Sequence, residues 1–291
     1  MHRLATALVI CTALFGCGDS DAPASGSPSA FDGNRAFEDL AAQVKLGPRP
    51  SGSAANRKAA KLIRRGLTRA GAEHVRVQRP WHNVLGTIPG SEPGTVVVGA
   101  HYDTKSGIPH FVGANDGASG VGVLLELART LPKPLPGPSV QLVFFDAEEA
   151  RGNNFEADGD RGSSQYVKYA KRAKQGSAPL AEIKAMVLFD MIGDCDLHVP
   201  LEANSSPDLY RLFSTAAGGS PFTGKTFPVG DDHTPFLEVG IPALDLIDFD
   251  YGPGRAPGAY WHTSQDTLDK VCPASLDAIG DAALTAIPQI R

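Results

Sequence analysis

Cysteine is scarce in this chain, and its placement excludes one large class of metal site. The 291 residues contain four cysteines, and no two of them form a Cys-x-x-Cys pair. Cys11 and Cys17 lie near the N-terminus, which leaves Cys195 and Cys272 for the remainder. Any metal must therefore be bound by histidine and carboxylate side chains. Whether Cys195 and Cys272 pair is left open, because pairing depends on their separation in the fold.

Positive charge is also in short supply, which argues against the partners that attract basic proteins. Lysine and arginine number 27 against 32 acidic residues, so the formal net charge is -5. This balance gives the chain no general attraction to nucleic acid or to an anionic membrane face. Internal repeats and heptad arrays are absent, and the composition is that of an ordinary globular protein. We therefore expect one large α/β domain with no nucleic-acid partner.

The N-terminus has the features of an export signal. Arg3 is followed by an apolar stretch over residues 4–15, which is too short to span a bilayer. The stretch ends in the letters LFGC at Cys17, a pattern that resembles the lipobox of bacterial lipoproteins, in which the cysteine is lipidated. A polar stretch rich in Ser, Pro and Gly follows, which cannot bury enough apolar surface to fold. The sequence thus predicts a lipoprotein signal at 1–17, a polar linker at 18–33 and an enzyme domain at 34–291.

This signal predicts a location outside the cytoplasm. Gly18 rather than aspartate follows Cys17, which in Gram-negative lipoproteins usually accompanies the outer membrane. We expect a lipid-anchored protein of the cell envelope that meets the membrane only through Cys17. An ordinary secretory signal, giving a periplasmic or secreted protein, stays open as the alternative.

Apolar runs alternate with amphipathic segments along the rest of the chain. Continuous apolar runs, typical of strands buried on both faces, cover residues 95–100, 139–146, 185–189 and 242–247. Helical periodicity covers residues 31–46, 54–70, 120–131, 166–174, 209–216 and 274–287, and half-buried strands are predicted at 75–81 and 84–88. This alternation predicts a three-layer α/β/α sandwich around a mostly parallel mixed sheet. In such folds, ligands bind beyond the carboxyl ends of the strands.

The predicted helix over residues 54–70 has a basic outer face. The residues on that face are Arg57, Lys58, Lys61, Arg64 and Arg65. An anionic partner is one interpretation, but we favour a helix face in contact with solvent.

Five short motifs place histidine and carboxylate side chains at or beside the ends of apolar runs. They are His101 in GAHYDTK, Asp116 in GANDGASG, Glu149 in VFFDAEEA, Asp190 in VLFDMIGD and His262 in YWHTSQDT. Two imidazoles and three carboxylates form a ligand set that suits a catalytic zinc ion. Glu148, adjacent to Glu149, remains as a general acid or base. The set predicts that these residues converge at one edge of the sheet.

Several residues near these motifs leave alternatives open. Asp116 precedes a predicted helix, so it is either a helix cap or a carboxylate that bridges two metal positions. Asp103 lies two residues after His101, where it is placed to fix the imidazole tautomer. Trp261 is either the wall of a pocket or part of the core. Asp266 fits the cap of the last segment.

From about residue 37 to 287, the chain resembles the zinc aminopeptidase family that also contains the animal-type glutaminyl-peptide cyclotransferases, or glutaminyl cyclases. The ordered ligands of that family fall on His101, Asp116, Glu149, Asp190 and His262. The resemblance places the catalytic glutamate at Glu148. Similar aminopeptidases use two zinc ions to cleave an N-terminal peptide bond. In the cyclases, one zinc at the positions of Asp116, Glu149 and His262 polarises the side-chain amide of an N-terminal glutamine.

Local features favour the cyclase branch. Lys105 follows the HYDT motif, and Trp261 stands directly before the ligand histidine. Asp231 matches a cyclase aspartate that is hydrogen-bonded to the residue at Asp190. The resemblance therefore implies catalytic roles for Glu148, Asp190 and Asp231, and substrate-pocket roles for Lys105 and Trp261.

Two departures from the animal cyclases concern the substrate pocket. Asn154 stands in place of a pocket tryptophan, and Asp245 stands in place of a histidine that lines the animal site. These changes affect the expected pocket rather than the expected metal ligands.

We therefore expect a zinc-dependent enzyme that converts the N-terminal glutamine of peptides to pyroglutamate and releases ammonia. The alternative is a zinc aminopeptidase, an M28-type metallopeptidase, that hydrolyses N-terminal residues from peptides. One zinc ion is expected for the first and two for the second. A surface lipoprotein that only binds peptides is a third hypothesis, but binding alone gives no reason for Glu148 beside the ligands. The natural peptide and the oligomeric state are left undetermined.

Overall fold

The structure is a computed structural model that describes residues 1–2, 31–152 and 154–291. The predicted lipidation site at Cys17 and most of the predicted linker lie outside the described residues. The first helix begins at Gly33, and the carboxylate of Asp32 caps it by accepting two backbone N–H groups of the first turn. In these described ranges, no helix is both long and apolar enough to cross a membrane.

Strands and helices alternate along the described part of the chain. Its strands are β1 (Glu73–Val77), β2 (Val84–Ile88), β3 (Gly90–His101), β4 (Leu135–Phe145), β5 (Ile183–Asp190), β6 (Val199–Glu202), β7 (Phe222–Phe227) and β8 (Ala243–Ile247). Its α-helices are α1 (Gly33–Val44), α2 (Ala54–Arg69), α3 (Ser119–Thr130), α4 (Phe155–Asp158), α5 (Arg161–Ala170), α6 (Pro207–Ala216), α7 (Thr234–Leu237) and α8 (Pro273–Ala286).

One mixed sheet forms the middle layer, with the strand order β1-β2-β4-β3-β5-β8. Strands β4, β3, β5 and β8 are parallel to one another, whereas β2 pairs antiparallel with both β1 and β4. Helices α1, α2, α3, α6 and α8 pack on one face of the sheet, and α5 and α7 pack on the other. The predicted fold class, a three-layer α/β/α sandwich around a mostly parallel mixed sheet, is confirmed.

The central strands are buried on both faces because successive side chains enter opposite cores. In β3, Val96 and Val98 join the larger hydrophobic cluster, while Val97 joins the smaller one. A strand covered on both sides therefore needs apolar residues at every position. This is why the central strands were visible in the sequence as continuous apolar runs.

The parallel register brings the carboxyl ends of the central strands to one edge of the sheet. His101 is aligned with Phe145 across β3 and β4, and Asp190 is aligned with Ile247 across β5 and β8. The segments that leave these four strand ends therefore start from neighbouring positions. We call this the carboxyl edge.

Some boundaries differ from those predicted, and a second sheet was missed. β3 begins at Gly90 rather than at residue 95, because its first part pairs irregularly with the start of β4. α5 begins at Arg161, earlier than its apolar pattern suggested. β6 and β7 form a separate parallel pair. The sequence of β7 contains Gly224 and lacks apolar alternation, so it gave no strand signal.

Cys195 and Cys272 form a disulfide, which answers the question that the sequence left open. Their Cα atoms are 4.8 Å apart, and Cys272 directly precedes α8. The backbone N–H of Cys272 also donates to the carbonyl of Gly193. The crosslink thus ties the segment that follows Asp190 to the start of the final helix.

Removing this disulfide is expected to destabilise the fold. The cysteines are 77 residues apart, and closing a loop of that length restricts the unfolded chain by about 4 kcal/mol in the chain-entropy model. We expect the double substitution Cys195→Ser and Cys272→Ser to lower the free energy of unfolding in urea by about 2–4 kcal/mol. Reducing the unsubstituted protein with dithiothreitol should produce the same loss. An unchanged urea midpoint would contradict a stabilising role.

Candidate metal centre and active site

Five side chains from separate segments meet at the carboxyl edge. His101 is the last residue of β3, and Asp190 is the last residue of β5. Glu149 follows β4, Asp116 lies in the loop before α3, and His262 lies between β8 and α8. The structure therefore brings together all of the side chains that the sequence suggested as metal ligands.

These side chains form two clusters of three donors that share one carboxylate. In the first cluster, His101 Nε2 lies 3.1 Å from Asp190 Oδ1 and 3.3 Å from Asp116 Oδ1. In the second, His262 Nε2 lies 3.1 Å from Glu149 Oε1 and 3.3 Å from Asp116 Oδ2. Asp116 thus gives one oxygen to each cluster. It does not cap α3, whose N-terminus has no side-chain cap.

The donor atoms fit zinc in both chemistry and spacing. Two ligands that each lie about 2.0–2.1 Å from a tetrahedral zinc ion are about 3.3 Å apart, close to the separations within each cluster. Imidazole nitrogens and carboxylate oxygens are the ligands of catalytic zinc sites. Asp116 Oδ2 is buried and accepts no hydrogen bond from the described residues. A buried oxygen without a hydrogen-bond donor is expected where a metal ion completes the site.

Burial and ion pairing act in opposite directions on the protonation of these groups. Burial opposes the ionisation of Asp116, but the neighbouring imidazoles of His101 and His262 outweigh it and hold the pKa of Asp116 well below its usual range. Burial opposes the protonation of His262, but Asp116 and Glu149 raise its pKa to about 10. Burial, with the charge of Asp116, raises the pKa of Glu149 to about 7. Metal binding requires these ligands to lose their protons, so metal affinity falls as the pH falls.

The loop that carries Asp116 is fixed by contacts that the sequence analysis did not identify. Asp266, which the sequence suggested as a cap, instead accepts the backbone N–H groups of Asn115 at 2.8 Å and Asp116 at 3.1 Å. Gly117 has a φ of +85°, and a Cβ atom there would lie 2.4 Å from the carbonyl oxygen of Asp103. Only glycine fits this position, which brings the backbone close to the metal ligands.

A buried arginine joins the segment after His101 to the segment before Asp116. Arg49 is fully buried, and burial lowers the pKa of its guanidinium group to about 10. Its Nε donates to the carbonyl of Tyr102, and its two terminal nitrogens donate to the carbonyls of residues 112 and 113. In the sequence, this arginine follows a Gly-Pro helix stop and gave no sign of being buried.

Replacing Arg49 by methionine is expected to weaken both metal binding and folding. Three carbonyls would lose their donors, at a cost of about 1–3 kcal/mol for each buried group. Loss of an interaction that orients ligands typically weakens metal affinity by about 10–100-fold. We expect at least tenfold weaker zinc binding in competition with a chelator, with Arg49→Lys intermediate. A folded Arg49→Met protein with unchanged zinc affinity would show that Arg49 does not position the ligands.

The adjacent acids Glu148 and Glu149 face different neighbours. Glu149 belongs to the second donor cluster, whereas Glu148 groups with Asp160 and Asp231, with ligating atoms within 4.8 Å of one another. Burial raises the pKa of Glu148 well above its usual range; the charge of His101 opposes this shift, and those of Glu149 and Asp231 add to it. Glu148 Oε2 lies 3.6 Å from His101 Nδ1. A carboxyl group beside both donor clusters, and part of neither, is placed to accept or donate a proton.

Asp103 does not hold the His101 imidazole in the way that the sequence suggested. Its Oδ1 atom is 3.8 Å from His101 Nδ1, which is beyond hydrogen-bond distance. The same oxygen accepts the backbone N–H of Glu148 at 3.2 Å. Asp103 therefore helps to position the segment that carries Glu148.

A cavity of about 550 Å³ opens over the two donor clusters. Lys105, Trp261 and Asp231 line it. The Trp261 ring stacks on the imidazole of His262, with ring centroids 3.9 Å apart. Lys105 Nζ lies 3.7 Å from Glu149 Oε2. The cavity thus combines the metal ligands with a cation and an aromatic wall.

Apolar side chains that the sequence analysis did not assign complete the walls of this cavity. They are Phe155, Val229, Ile247 and Phe249. Phe249 packs edge-on against Trp261, with ring centroids 5.2 Å apart. Ile247 ends strand β8, whereas the other three lie in or beside connecting segments, where no periodicity marks a side chain as part of a pocket.

Asn154 and Asp245, the two positions at which the sequence differs from the animal cyclases, have different structural roles. Asn154 caps α4 by accepting the backbone N–H of Ala157, and the next residue, Phe155, provides an aromatic wall. Asp245 is fully buried, with Oδ2 3.7 Å from Nδ1 of His233, and it does not line the cavity. The residue that stands in place of that histidine therefore contributes nothing to the walls of this cavity.

The fold and the two donor clusters define the class of protein. The chain belongs to peptidase family M28, whose family model matches residues 83–287. That range includes the five donors and Glu148.

Individual relatives fall in both branches of the expected activity. A glutaminyl-peptide cyclotransferase from Boiga irregularis is 31% identical over 240 residues, covering 69% of this chain and 63% of the snake protein. An aminopeptidase from Bacillus subtilis (strain 168) is 29% identical over 204 residues, covering 67% of this chain and 41% of that protein. The chain thus spans less than two thirds of the length of these relatives. Family and relatives together support a cyclase-like or aminopeptidase-like enzyme.

A solved structure is similar over nearly the whole chain. The crystal structure of a glutaminyl cyclase from an Acidobacteriales bacterium is 34% identical, with a TM-score of 0.80. The match covers 92% of this chain and 98% of that one.

Proposed function

We propose that this protein is a zinc-dependent glutaminyl-peptide cyclotransferase that converts the N-terminal glutamine of peptides to pyroglutamate and releases ammonia. The observation that carries the proposal is the similarity to the Acidobacteriales glutaminyl cyclase, which extends over 98% of that chain. The donor set, Glu148 and the cavity around them support it. The proposed substrates are the N-termini of peptides or proteins.

In this proposal, zinc is held by Asp116, Glu149 and His262. When bound by these residues, zinc would supply the positive charge that polarises the side-chain amide carbonyl of the substrate glutamine. The Trp261 ring and the apolar walls of the cavity hold the glutamine side chain and exclude water, which favours attack by the amine over hydrolysis. Lys105 neutralises part of the negative charge near Glu149.

Glu148 is the proposed proton carrier. It accepts a proton from the α-amine as the amine nitrogen bonds to the side-chain amide carbon, and it then donates a proton to the departing ammonia. The carbon–nitrogen bond to the leaving group breaks as the ring forms, so protons and electron pairs balance. Asp231 groups with Glu148, and burial raises its pKa well above the usual range. Asp231 and Asp190 are together proposed to keep Glu148 in a protonation state from which it can exchange protons with the substrate.

The second candidate function is a zinc aminopeptidase. The observation that favours it is the pair of complete donor clusters sharing Asp116, an arrangement that suits two zinc ions. In that reaction, Glu148 takes a proton from the attacking water and gives it to the new α-amine.

One incubation separates the two functions. The purified domain is mixed with an unblocked peptide that begins with glutamine, and the product is examined by mass spectrometry. Loss of one ammonia, with a product resistant to further N-terminal sequencing, supports the cyclase. Loss of the whole N-terminal residue overturns it in favour of the aminopeptidase.

The pH dependence of cyclisation gives a further expected result. The attacking α-amine must be unprotonated, and its ordinary pKa is about 7.7–8.0. We therefore expect kcat/KM to rise with pH up to about 8 and then to level off. A rate maximum at acidic pH would contradict attack by a free amine.

We also propose that the protein is anchored to the cell envelope through a lipid on Cys17, with the outer membrane of a Gram-negative bacterium as its location. The LFGC sequence and the following polar stretch support this. Labelling cells with a radioactive fatty acid should mark the full-length chain and not a Cys17→Ala variant. An unlabelled chain recovered from the periplasm or medium would support the alternative secretory signal.

A further inference from the structure

A second feature of the carboxyl edge is a groove on the side of β1 and β2. Two segments converge there on Asp146, two residues before Glu148. Asn56, in the first turn of α2, donates to Asp146 Oδ1 at 3.0 Å, and the backbone N–H of His82 donates to Oδ2 at 3.1 Å. The start of α2 and the β1–β2 connection therefore both lie close to the segment that carries Glu148.

Between these two segments lies a groove of about 250 Å³ with basic walls. We define the cationic groove by its five polar residues, which are Arg57, Lys61, Arg64, Arg79 and His82. Ala60 and Val77 also line it. Three of its cations come from α2, and the other polar groups come from the β1–β2 connection, so the groove exists only in the folded protein.

In the described part of the chain, the arginines and the lysine of this groove have no acidic partner, whereas His82 Nδ1 lies 3.6 Å from Asp146 Oδ2. Helix α2 contains no aspartate or glutamate, and among the described residues none of Arg57, Lys61, Arg64 and Arg79 forms an ion pair. Arg79 Nη1 donates to His82 Nε2 at 2.7 Å, which holds the guanidinium group in place. A group of unpaired cations in a protein of net charge -5 creates a local field opposite to that of the whole chain.

Basic and aromatic side chains connect the groove to the active-site cavity. Lys105 lines the cavity, and the next residue, Ser106, donates from its hydroxyl to the carbonyl of Arg151 at 3.3 Å. The Arg151 guanidinium lies 5.6 Å from the centre of the Trp81 ring. Trp81 directly precedes His82. These contacts link residues of the cavity wall to residues of the groove wall.

We infer that the cationic groove binds acidic side chains of the peptide substrate downstream of its N-terminal residue. This inference rests on the proposed function, because it assumes that the cavity takes a peptide N-terminus. The remainder of such a peptide must leave the cavity over the surrounding surface, and an extended chain advances about 3.3 Å per residue. Unpaired cations along that surface attract carboxylates, with an effect that salt weakens. The groove would therefore select peptides with acidic residues at a defined distance from the N-terminus.

The test compares peptides that share an N-terminal glutamine and differ further along. One series carries a block of three aspartates that is moved stepwise along a Gly/Ser peptide, and the reference peptide carries serines instead. We expect kcat/KM to be about tenfold higher for the best aspartate position, mainly through a lower KM. The preference should disappear at high salt. Equal kcat/KM for all positions and for the serine peptide would overturn the inference.

Two double substitutions on α2 distinguish an effect of the cationic groove from an effect of the protein's overall charge. Arg57→Glu with Arg64→Glu changes the groove, while Lys58→Glu with Arg65→Glu changes exposed positions of α2 outside it by the same charge and spacing. The first pair should remove the preference for aspartate and leave turnover of the serine peptide unchanged. The second pair should keep the preference. If both pairs reduce the preference for aspartate equally, the preference comes from the overall electrostatic field of the protein, and the inference is overturned.

Failure of this inference is distinguishable from failure of the proposed function. Cyclisation of the serine peptide alone tests the function, whatever the aspartate series shows. If the protein instead releases N-terminal residues from these peptides, the same peptides and variants are compared by the rate of that release. If no peptide is turned over, fluorescence anisotropy of labelled aspartate peptides with the protein and both variant pairs still measures the groove. Binding of anionic phospholipid vesicles, lost with the first pair and without any peptide preference, would assign the groove to a membrane and overturn the inference.

Discussion

Substitution of Glu148 by glutamine is expected to lower kcat by about 10³-fold while leaving zinc content unchanged. Glutamine keeps the shape of the side chain but cannot carry a proton, and a positioned general acid or base typically contributes about 10²–10⁴-fold. Glu148 belongs to neither donor cluster, so its loss removes proton transfer and not a ligand. The measurements are turnover of a peptide with N-terminal glutamine and zinc content by atomic absorption.

A control substitution separates this effect from a general loss of acidic charge. Glu156 is exposed on the short helix α4, belongs to neither donor cluster and does not line the cavity, so Glu156→Gln should keep nearly full activity. Near-normal turnover in Glu148→Gln would remove Glu148 from both candidate mechanisms. Loss of zinc in Glu148→Gln would instead show that it acts as a ligand.

The second large effect is expected from a pair of histidine substitutions. His262→Ala should abolish zinc binding at the proposed site and lower activity by on the order of 10³-fold, since that site supplies the polarising charge. His101→Ala changes the other cluster and should retain one zinc and most of the cyclase activity. The two variants are matched because each imidazole contacts the shared carboxylate of Asp116 at 3.3 Å.

The number of zinc ions decides how this pair is interpreted. Under the cyclase proposal, the unsubstituted protein and His101→Ala bind one zinc each. The opposite outcome is that the unsubstituted protein binds two zinc ions and that His101→Ala loses both one zinc ion and its activity. That outcome would contradict the cyclase proposal and favour the aminopeptidase. Circular dichroism spectra and thermal unfolding of both variants check that the fold is retained.

Much of the architecture follows from residue pattern. Strands such as β3 are buried on both faces, so each position must be apolar, and such runs are conspicuous in a sequence. The parallel order then puts the strand ends at one edge, where residues such as His101 and Asp190 must lie close together. The pattern of apolar residues and the parallel strand topology were together sufficient to predict that the donors converge at one edge of the sheet.

The walls of the cavity and the supports of the ligands could not be predicted in the same way. Arg49 and Asp266 act through hydrogen bonds to backbone groups far away in the chain, and no local pattern marks such a role. Phe155 and Phe249 lie in or beside connecting segments, whose positions depend on tertiary packing rather than periodicity. Asp103 and His101 are neighbours as expected, but their nearest atoms are 3.8 Å apart and form no hydrogen bond, because spacing fixes which side chains are neighbours and not which atoms meet.

The distribution of the donors along the chain makes metal content a measure of completed folding. The first donor is His101 and the last is His262, and one or more strands or helices lie between most consecutive donors. A partly folded or truncated chain therefore lacks one or both clusters, however much of the sheet it has formed. In the proposed function, zinc would bind only the finished arrangement, so it would stabilise the native state by mass action, and more strongly as free zinc exceeds its dissociation constant. Zinc availability at the proposed location in the cell envelope would then set how long each molecule lasts as well as how fast it works.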